Sequence, residues 1–143
     1  LNQELDVLDE KSILQGKHVL LVEDNDLNAE IAMAILEQSG LVLDRVEDGL
    51  ACINRLSEVD ADLYDLILMD IQMPNMNGYE ATRRIRQFEN SKKANIPILA
   101  MTANAFEEDK KMAMEAGMNG HVSKPIDVNV LENQILNIFK KVS

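Results

Sequence analysis

The chain has 143 residues, enough for one domain that buries roughly 70% of the surface its unfolded chain exposes. Its 25 Asp+Glu against 14 Lys+Arg leave a formal net charge of −11, which repels phosphate backbones and argues against nucleic acid as a partner. A single cysteine, Cys52, allows no internal disulfide and fits a reducing compartment, and no apolar run approaches the ~20 residues of a membrane helix.

Residues 1–16 are acidic and polar, with scattered leucines (Leu5, Leu8, Leu14), and read as a linker with at most a short helix ending at Gly16. The domain proper is expected over 17–143. The chain opens on Leu1, not Met, and so reads as a piece of a longer protein. His18 to Val22 is the first apolar run, and it ends on Glu23-Asp24-Asn25-Asp26. His18, at the opposite end of that strand, is expected to be a surface residue. Asn25 or Asp26 is placed to cap a helix running to about Ser39, with Gly40 in the C′ position. Leu41 to Val46 is a second strand. Asp48-Gly49 turns it into a helix over about 50–57, where Cys52 is a small core residue.

The third apolar run, Leu66 to Met69, stops on Asp70, and Met73-Pro74 and Asn77-Gly78 force a turn. A helix from Tyr79 to about Phe88 carries Arg83, Arg84 and Arg86 on what is expected to be a solvated face. Ile96 to Met101 is the fourth run and ends on Thr102. The helix from about Phe106 to Ala116 opens with Glu107, Glu108 and Asp109, which favour its dipole, and Gly117 closes it. A short fifth strand, about 119–123, ends at Lys124-Pro125. Asp127 caps the last helix, where Val128, Leu131, Ile135, Ile138, Phe139 and Val142 fall on one stripe.

Strand and helix alternate five times through short connections, which predicts an α/β domain: a doubly wound parallel sheet with helices on both faces. Parallel strands point their carboxyl ends one way, and ligands bind at that edge. Glu23, Asp24, Asp70, Thr102 and Lys124 are thereby gathered. Asp70 alone reads as a helix cap, but four strand ends with matching chemistry point to a site. Crowded carboxylates repel unless a cation joins them, and oxygen ligands with several waters suit Mg²⁺. A metal, an ammonium and a hydroxyl together are what a dianionic phosphoryl group needs.

The segments Leu20-Leu21-Val22-Glu23-Asp24-Asn25, Met69-Asp70-Ile71-Gln72-Met73-Pro74, Met101-Thr102-Ala103 and Ser123-Lys124-Pro125 occur in order over about 17–140. In them the chain resembles a response-regulator receiver domain of two-component signalling, most like the C-terminal receiver of a hybrid sensor histidine kinase. The resemblance implies a five-stranded, flavodoxin-like (βα)5 fold with strand order 2-1-3-4-5. It implies that Asp70 takes a phosphoryl group from a phosphohistidine. Mg²⁺ would be bound by Asp24, Asp70 and the Gln72 carbonyl, with Glu23 holding its waters. Lys124 would contact the phosphoryl group, and Thr102 would be the switch residue. Ala103 leaves room above the acceptor, and Gln72 and Asn104 flank it. A cis Lys124-Pro125 bond aims the lysine. Such a domain catalyses its own phosphorylation and slow dephosphorylation without being a turnover enzyme.

Where the family has Tyr or Phe as a second switch residue, this chain has His121, which leaves the aromatic half of the switch open. The implied partner is the dimerisation/phosphotransfer domain of a histidine kinase or a histidine phosphotransfer protein. The domain itself would be cytoplasmic, without direct membrane contact, even if its parent is membrane-anchored. A stand-alone regulator and a degenerate docking-only receiver are the alternatives. A dehalogenase-like phosphatase would want a second Asp where Gln72 stands, and a flavin module would not tolerate Glu23-Asp24-Asn25-Asp26 at its phosphate loop. The first helix is apolar around most of its circumference. The surplus either packs on the last helix or leaves Leu27 and Ile31 partly exposed to dock a phosphodonor.

Overall fold

The computed structural model describes residues 12–103 and 106–142, with side chains to residue 140. The expectations for Leu5, Leu8, Asn104 and the side chain of Val142 lie outside them. Five strands, β1 (His18–Val22), β2 (Val42–Val46), β3 (Leu66–Asp70), β4 (Ile98–Thr102) and β5 (Gly120–Ser123), alternate with α1 (Asp26–Gln38), α2 (Gly49–Glu58), α3 (Gly78–Ile85), α4 (Glu107–Ala116) and α5 (Val128–Val142). An additional helical turn, Ser91–Ala94, precedes β4. All pairings are parallel, in the order β2-β1-β3-β4-β5. That is the flavodoxin-like order the resemblance implies.

The sheet has two buried faces because alternate side chains leave a strand on opposite sides. Leu20, Val22, Ile67, Met69, Ile98 and Ala100 pack under α2, α3 and α4 through Cys52, Leu56, Ala81, Ile85 and Ala113. Val19, Leu21, Leu66, Leu68, Leu99 and Met101 pack under α1 and α5 through Ala29, Ala32, Leu36, Leu131 and Ile135. Every residue of β3 and β4 is buried, as continuous apolar runs in a central parallel strand require. Burial pushes the Cys52 thiol up to about 12, so it is an inert core group.

Helix starts are set by side-chain caps. Asn25, not Asp26, accepts from Asn28 N at 2.9 Å, Asp48 from Ala51 N at 2.8 Å and Asp127 from Asn129 N at 2.9 Å. Asn77 caps α3 through Glu80 N at 2.9 Å, which removes the reading of Asp70 as a helix cap. Gly78 opens that helix with no room for a side chain: a Cβ there would lie 2.4 Å from the Asp70 carbonyl oxygen.

Three features differ from the simple pattern. Leu14 is buried against the α1/α5 face, so the end of the leading stretch packs on the domain. α3 ends at Ile85, and Arg86 leaves the expected solvated face. Its half-buried guanidinium donates to the carbonyls of Gly117 (2.9 Å), Ala94 (2.9 Å) and Ile96 (2.7 Å) and to Asn119 Oδ1 (3.0 Å). Arg86 thus clips residues 94–96 and 117–119 to the end of α3. Val128, at the start of the α5 stripe, is exposed while Leu131, Ile135, Ile138 and Phe139 are buried.

Candidate phosphoacceptor site

The carboxyl ends of β1, β3 and β5 bring their polar residues together. Glu23, directly after β1, is buried, with its backbone N–H donating 3.1 Å to the Val46 carbonyl of β2. Asp24 follows it and is exposed. Asp70 ends β3 and is only 4% exposed. Oxygens of these three carboxylates lie within 4.8 Å of one another. Lys124, after β5, places its Nζ 3.2 Å from Glu23 Oε2 and 3.2 Å from Asp70 Oδ1. Its backbone N–H donates 2.8 Å to the Thr102 carbonyl, and the Lys124-Pro125 bond is cis.

One ammonium against three carboxylates leaves the cluster with excess negative charge. Burial, reinforced by the neighbouring Glu23, pushes the Asp70 carboxyl up to about 7 against the pull of Lys124. A divalent cation on the exposed side, where Asp24 stands, would relieve that strain, and the donor set is all oxygen, as a hard cation wants. The Gln72 N–H donates to Asp70 Oδ1 at 3.3 Å, so the β3–α3 loop turns back over Asp70. Thr102 is buried at the end of β4 and lines a cleft with Gln72, Met73 and Tyr79.

His121 is half-buried on β5 beside Ala100. Burial, and then the charge of Lys110, lower its pKa against the pull of Glu107. Leu27 and Ile31 are 64% and 51% exposed, so the apolar surplus of α1 is not absorbed by α5. Ile31 and Ala32 border a groove of ≈ 110 Å³ whose other wall is Lys124, Pro125 and Ile126.

Two features escaped the sequence reading. Arg45 of β2 reaches the β1–α1 loop, donating from Nε (3.1 Å) and an Nη (2.8 Å) to the Glu23 carbonyl, and from its other Nη to Asp26 Oδ1 (2.8 Å). The signal available was its place in the strand: it shares a side with Leu43, towards α1, at the carboxyl end. His18 is not a plain surface residue either. It is half-buried, with Nε2 3.0 Å from Asp44 Oδ2 and its ring edge-on to Tyr64 at 4.8 Å.

A parallel α/β sheet with a buried, lysine-paired carboxylate at its carboxyl edge defines a phosphoacceptor-type domain. Residues 19–136 match the family described as "Response regulator receiver domain", and the chain belongs to that family. It is 41% identical over 133 residues to hybrid signal transduction histidine kinase L of Dictyostelium discoideum, covering 91% of this chain but 7% of that protein. Histidine kinase 1 of Arabidopsis thaliana is 34% identical, over 95% of this chain and 14% of its own length. The chain thus spans only a small part of the curated relatives it matches.

Among solved structures, the receiver domain of a sensor histidine kinase from Pseudomonas aeruginosa, with a magnesium ion coordinated in its active-site cleft, superposes with a TM-score of 0.74. It is 38% identical and covers 87% of this chain and 97% of that one. A chain of the co-crystal of the Saccharomyces cerevisiae phosphotransfer protein Ypd1 with the receiver domain of Ssk1 gives a TM-score of 0.76. There the identity is 30% over 85% of this chain and 88% of that one. The protein is a receiver domain of two-component signalling, homologous to the receivers of hybrid histidine kinases.

Proposed function

We propose that Asp70 is the phosphoacceptor and that the domain takes its phosphoryl group from a phosphohistidine. The observation that carries this is Lys124 Nζ, 3.2 Å from both Asp70 and Glu23 in a cluster of three carboxylates. A deprotonated Asp70 oxygen attacks phosphorus as the phosphorus–nitrogen bond breaks, and the leaving imidazole keeps that electron pair and takes up a proton. The product is an acyl phosphate. Lys124 stabilises the negative charge on the transferring oxygens. Asp24, Asp70 and the Gln72 carbonyl would hold Mg²⁺, and Glu23 would hold its waters. The metal supplies charge neutralisation for the phosphoryl oxygens and lowers the proton affinity that burial gives Asp70. Thr102 engages the phosphoryl group once it is present and so biases a pre-existing equilibrium. His121, half-buried, stands where the second switch residue is expected.

The donor reading follows from the surface beside the site. Leu27 and Ile31 are exposed on α1, and Ile31 borders the groove that leads to Lys124, a fitting seat for an apolar helix face of a histidine kinase phosphotransfer domain or histidine phosphotransfer protein. A hybrid sensor kinase as parent fits the relatives, and a cytoplasmic setting fits the single buried thiol. None of the described helices is long and apolar enough to cross a membrane.

Intact mass after incubation with Mg²⁺ and a small acyl phosphate or phosphoramidate tests the acceptor. The unaltered chain should gain one phosphoryl group and Asp70→Asn none; uptake by the Asn variant would reassign the acceptor. Leu27→Asp and Ile31→Asp test the donor surface. They should slow transfer from a phosphohistidine protein while sparing uptake from the small molecule, and equal loss of both, or of neither, removes the docking reading.

A further inference from the structure

Arg45 sits outside the carboxylate cluster yet commits its whole guanidinium to the loop that carries two of the carboxylates. Strand alternation directs it towards α1, on the same side as Leu43, and its position one residue before the end of β2 sets it beside the end of β1. Its Nε and one Nη converge on the Glu23 carbonyl oxygen at 3.1 and 2.8 Å, and the other Nη takes Asp26 Oδ1 at 2.8 Å. With the Glu23 N–H bonded to the Val46 carbonyl at 3.1 Å, both backbone polar groups of Glu23 are held by consecutive residues of β2. Asp24 is the next residue. At the far end of the loop Asn25 is held by its cap bond to Asn28 N, 2.9 Å. The peptide that aims Asp24 is therefore fixed from both sides, and Arg45 is the side-chain component on the β2 side.

We infer that Arg45 is a positioning residue for the metal site, holding the Glu23-Asp24 backbone in the geometry that lets Asp24 share a cation with Asp70. This rests on the Mg²⁺ reading above. A guanidinium is needed because the task is two-sided. A planar fork reaches a carbonyl and a carboxylate at once, whereas an ammonium makes a point contact with one or the other.

Charge and geometry predict opposite signs here, which makes the inference testable. A cation near the site repels Mg²⁺, so if Arg45 acted by charge alone its removal would tighten binding and Arg45→Lys would change nothing. A positioning role predicts weaker binding in both variants. The measurement is calorimetric titration of the chain with MgCl₂, for the unaltered protein, Arg45→Lys and Arg45→Gln. The expected result is a Kd raised about ten-fold in each variant, the scale seen when groups that orient metal ligands are removed. Far-UV circular dichroism verifies the fold, and if Arg45→Gln does not fold, the charge-retaining Lys variant decides the sign alone. An unchanged Kd in Arg45→Lys, or a lower Kd in Arg45→Gln, overturns the inference. So does a lowered melting temperature with Mg²⁺ affinity intact, which would make Arg45 a plain structural tie. Absence of Mg²⁺ binding by the unaltered chain would instead overturn the metal reading from which the inference starts.

Discussion

The two ends of the sheet handle charge in opposite ways. At the amino end, Asp44 Oδ2 accepts from Tyr64 Oη at 2.8 Å and meets His18 Nε2 at 3.0 Å, while an Nη of Arg55 donates to Tyr64 Oη at 3.2 Å. Asp65 closes the set, its carboxylate accepting from the His18 N–H at 2.9 Å and its own N–H donating to the His18 carbonyl at 2.8 Å. Each acid there has a donor facing it. At the carboxyl end three carboxylates face one lysine. A fold free to optimise stability would not leave that excess, so the imbalance marks the carboxyl end as the candidate functional end.

The comparison is broken most strongly by removing the excess charge. Asp70 binds a proton up to about pH 7 in the folded domain against 3.8 as its reference value. The folded state therefore holds more protons than the unfolded one between those values. The stability this contributes is full below about 3.8 and is lost as pH rises through about 7. Asp70→Asn has no such loss. In metal-free buffer its advantage over the unaltered chain should grow from pH 4 to pH 7, reaching on the order of 4 kcal/mol, and then level off. Urea unfolding across that range gives the two curves; parallel curves would show that the carboxyl end is not frustrated.

Adding a divalent cation is the next test. Mg²⁺ at a hundred-fold excess over its Kd should stabilise the unaltered chain by about 2.7 kcal/mol, read as a rise in melting temperature. Asp24→Ala should abolish the rise. A melting temperature indifferent to millimolar Mg²⁺ would remove the metal from the site.

The amino end should give the smallest and a different response. Asp44→Asn weakens the bonds to His18 and Tyr64 and should cost about 1 kcal/mol of stability, the net worth of a hydrogen bond. It should leave both Mg²⁺ affinity and phosphoryl uptake as they were. A loss of uptake without unfolding would mean that the two ends are coupled through the sheet.

Much of this was present in the linear sequence. Element order, parallel topology and the polar residues that end β1, β3, β4 and β5 follow from apolar runs and turn residues, because strand length and helix capping are local properties. Strand ends on a parallel sheet must converge, so Glu23, Asp24, Asp70, Thr102 and Lys124 could be grouped before any coordinates. Tertiary structure alone decided what each does to the others. Glu23 and Lys124 are 101 residues apart yet in contact, Glu23 is buried while Asp24 is open, and Asp70 shares the lysine with Glu23. It also decided that Arg86 ties residues 94–96 to 117–119 and that Arg45 grips the β1–α1 loop, where the sequence offered only an arginine on a helix face and one in a strand. Leu27 and Ile31 remain exposed because the α1 face that meets the sheet is filled by Ala29, Ala32 and Leu36. Periodicity counts apolar residues on a helix; only the position of the neighbouring elements determines which of them are covered.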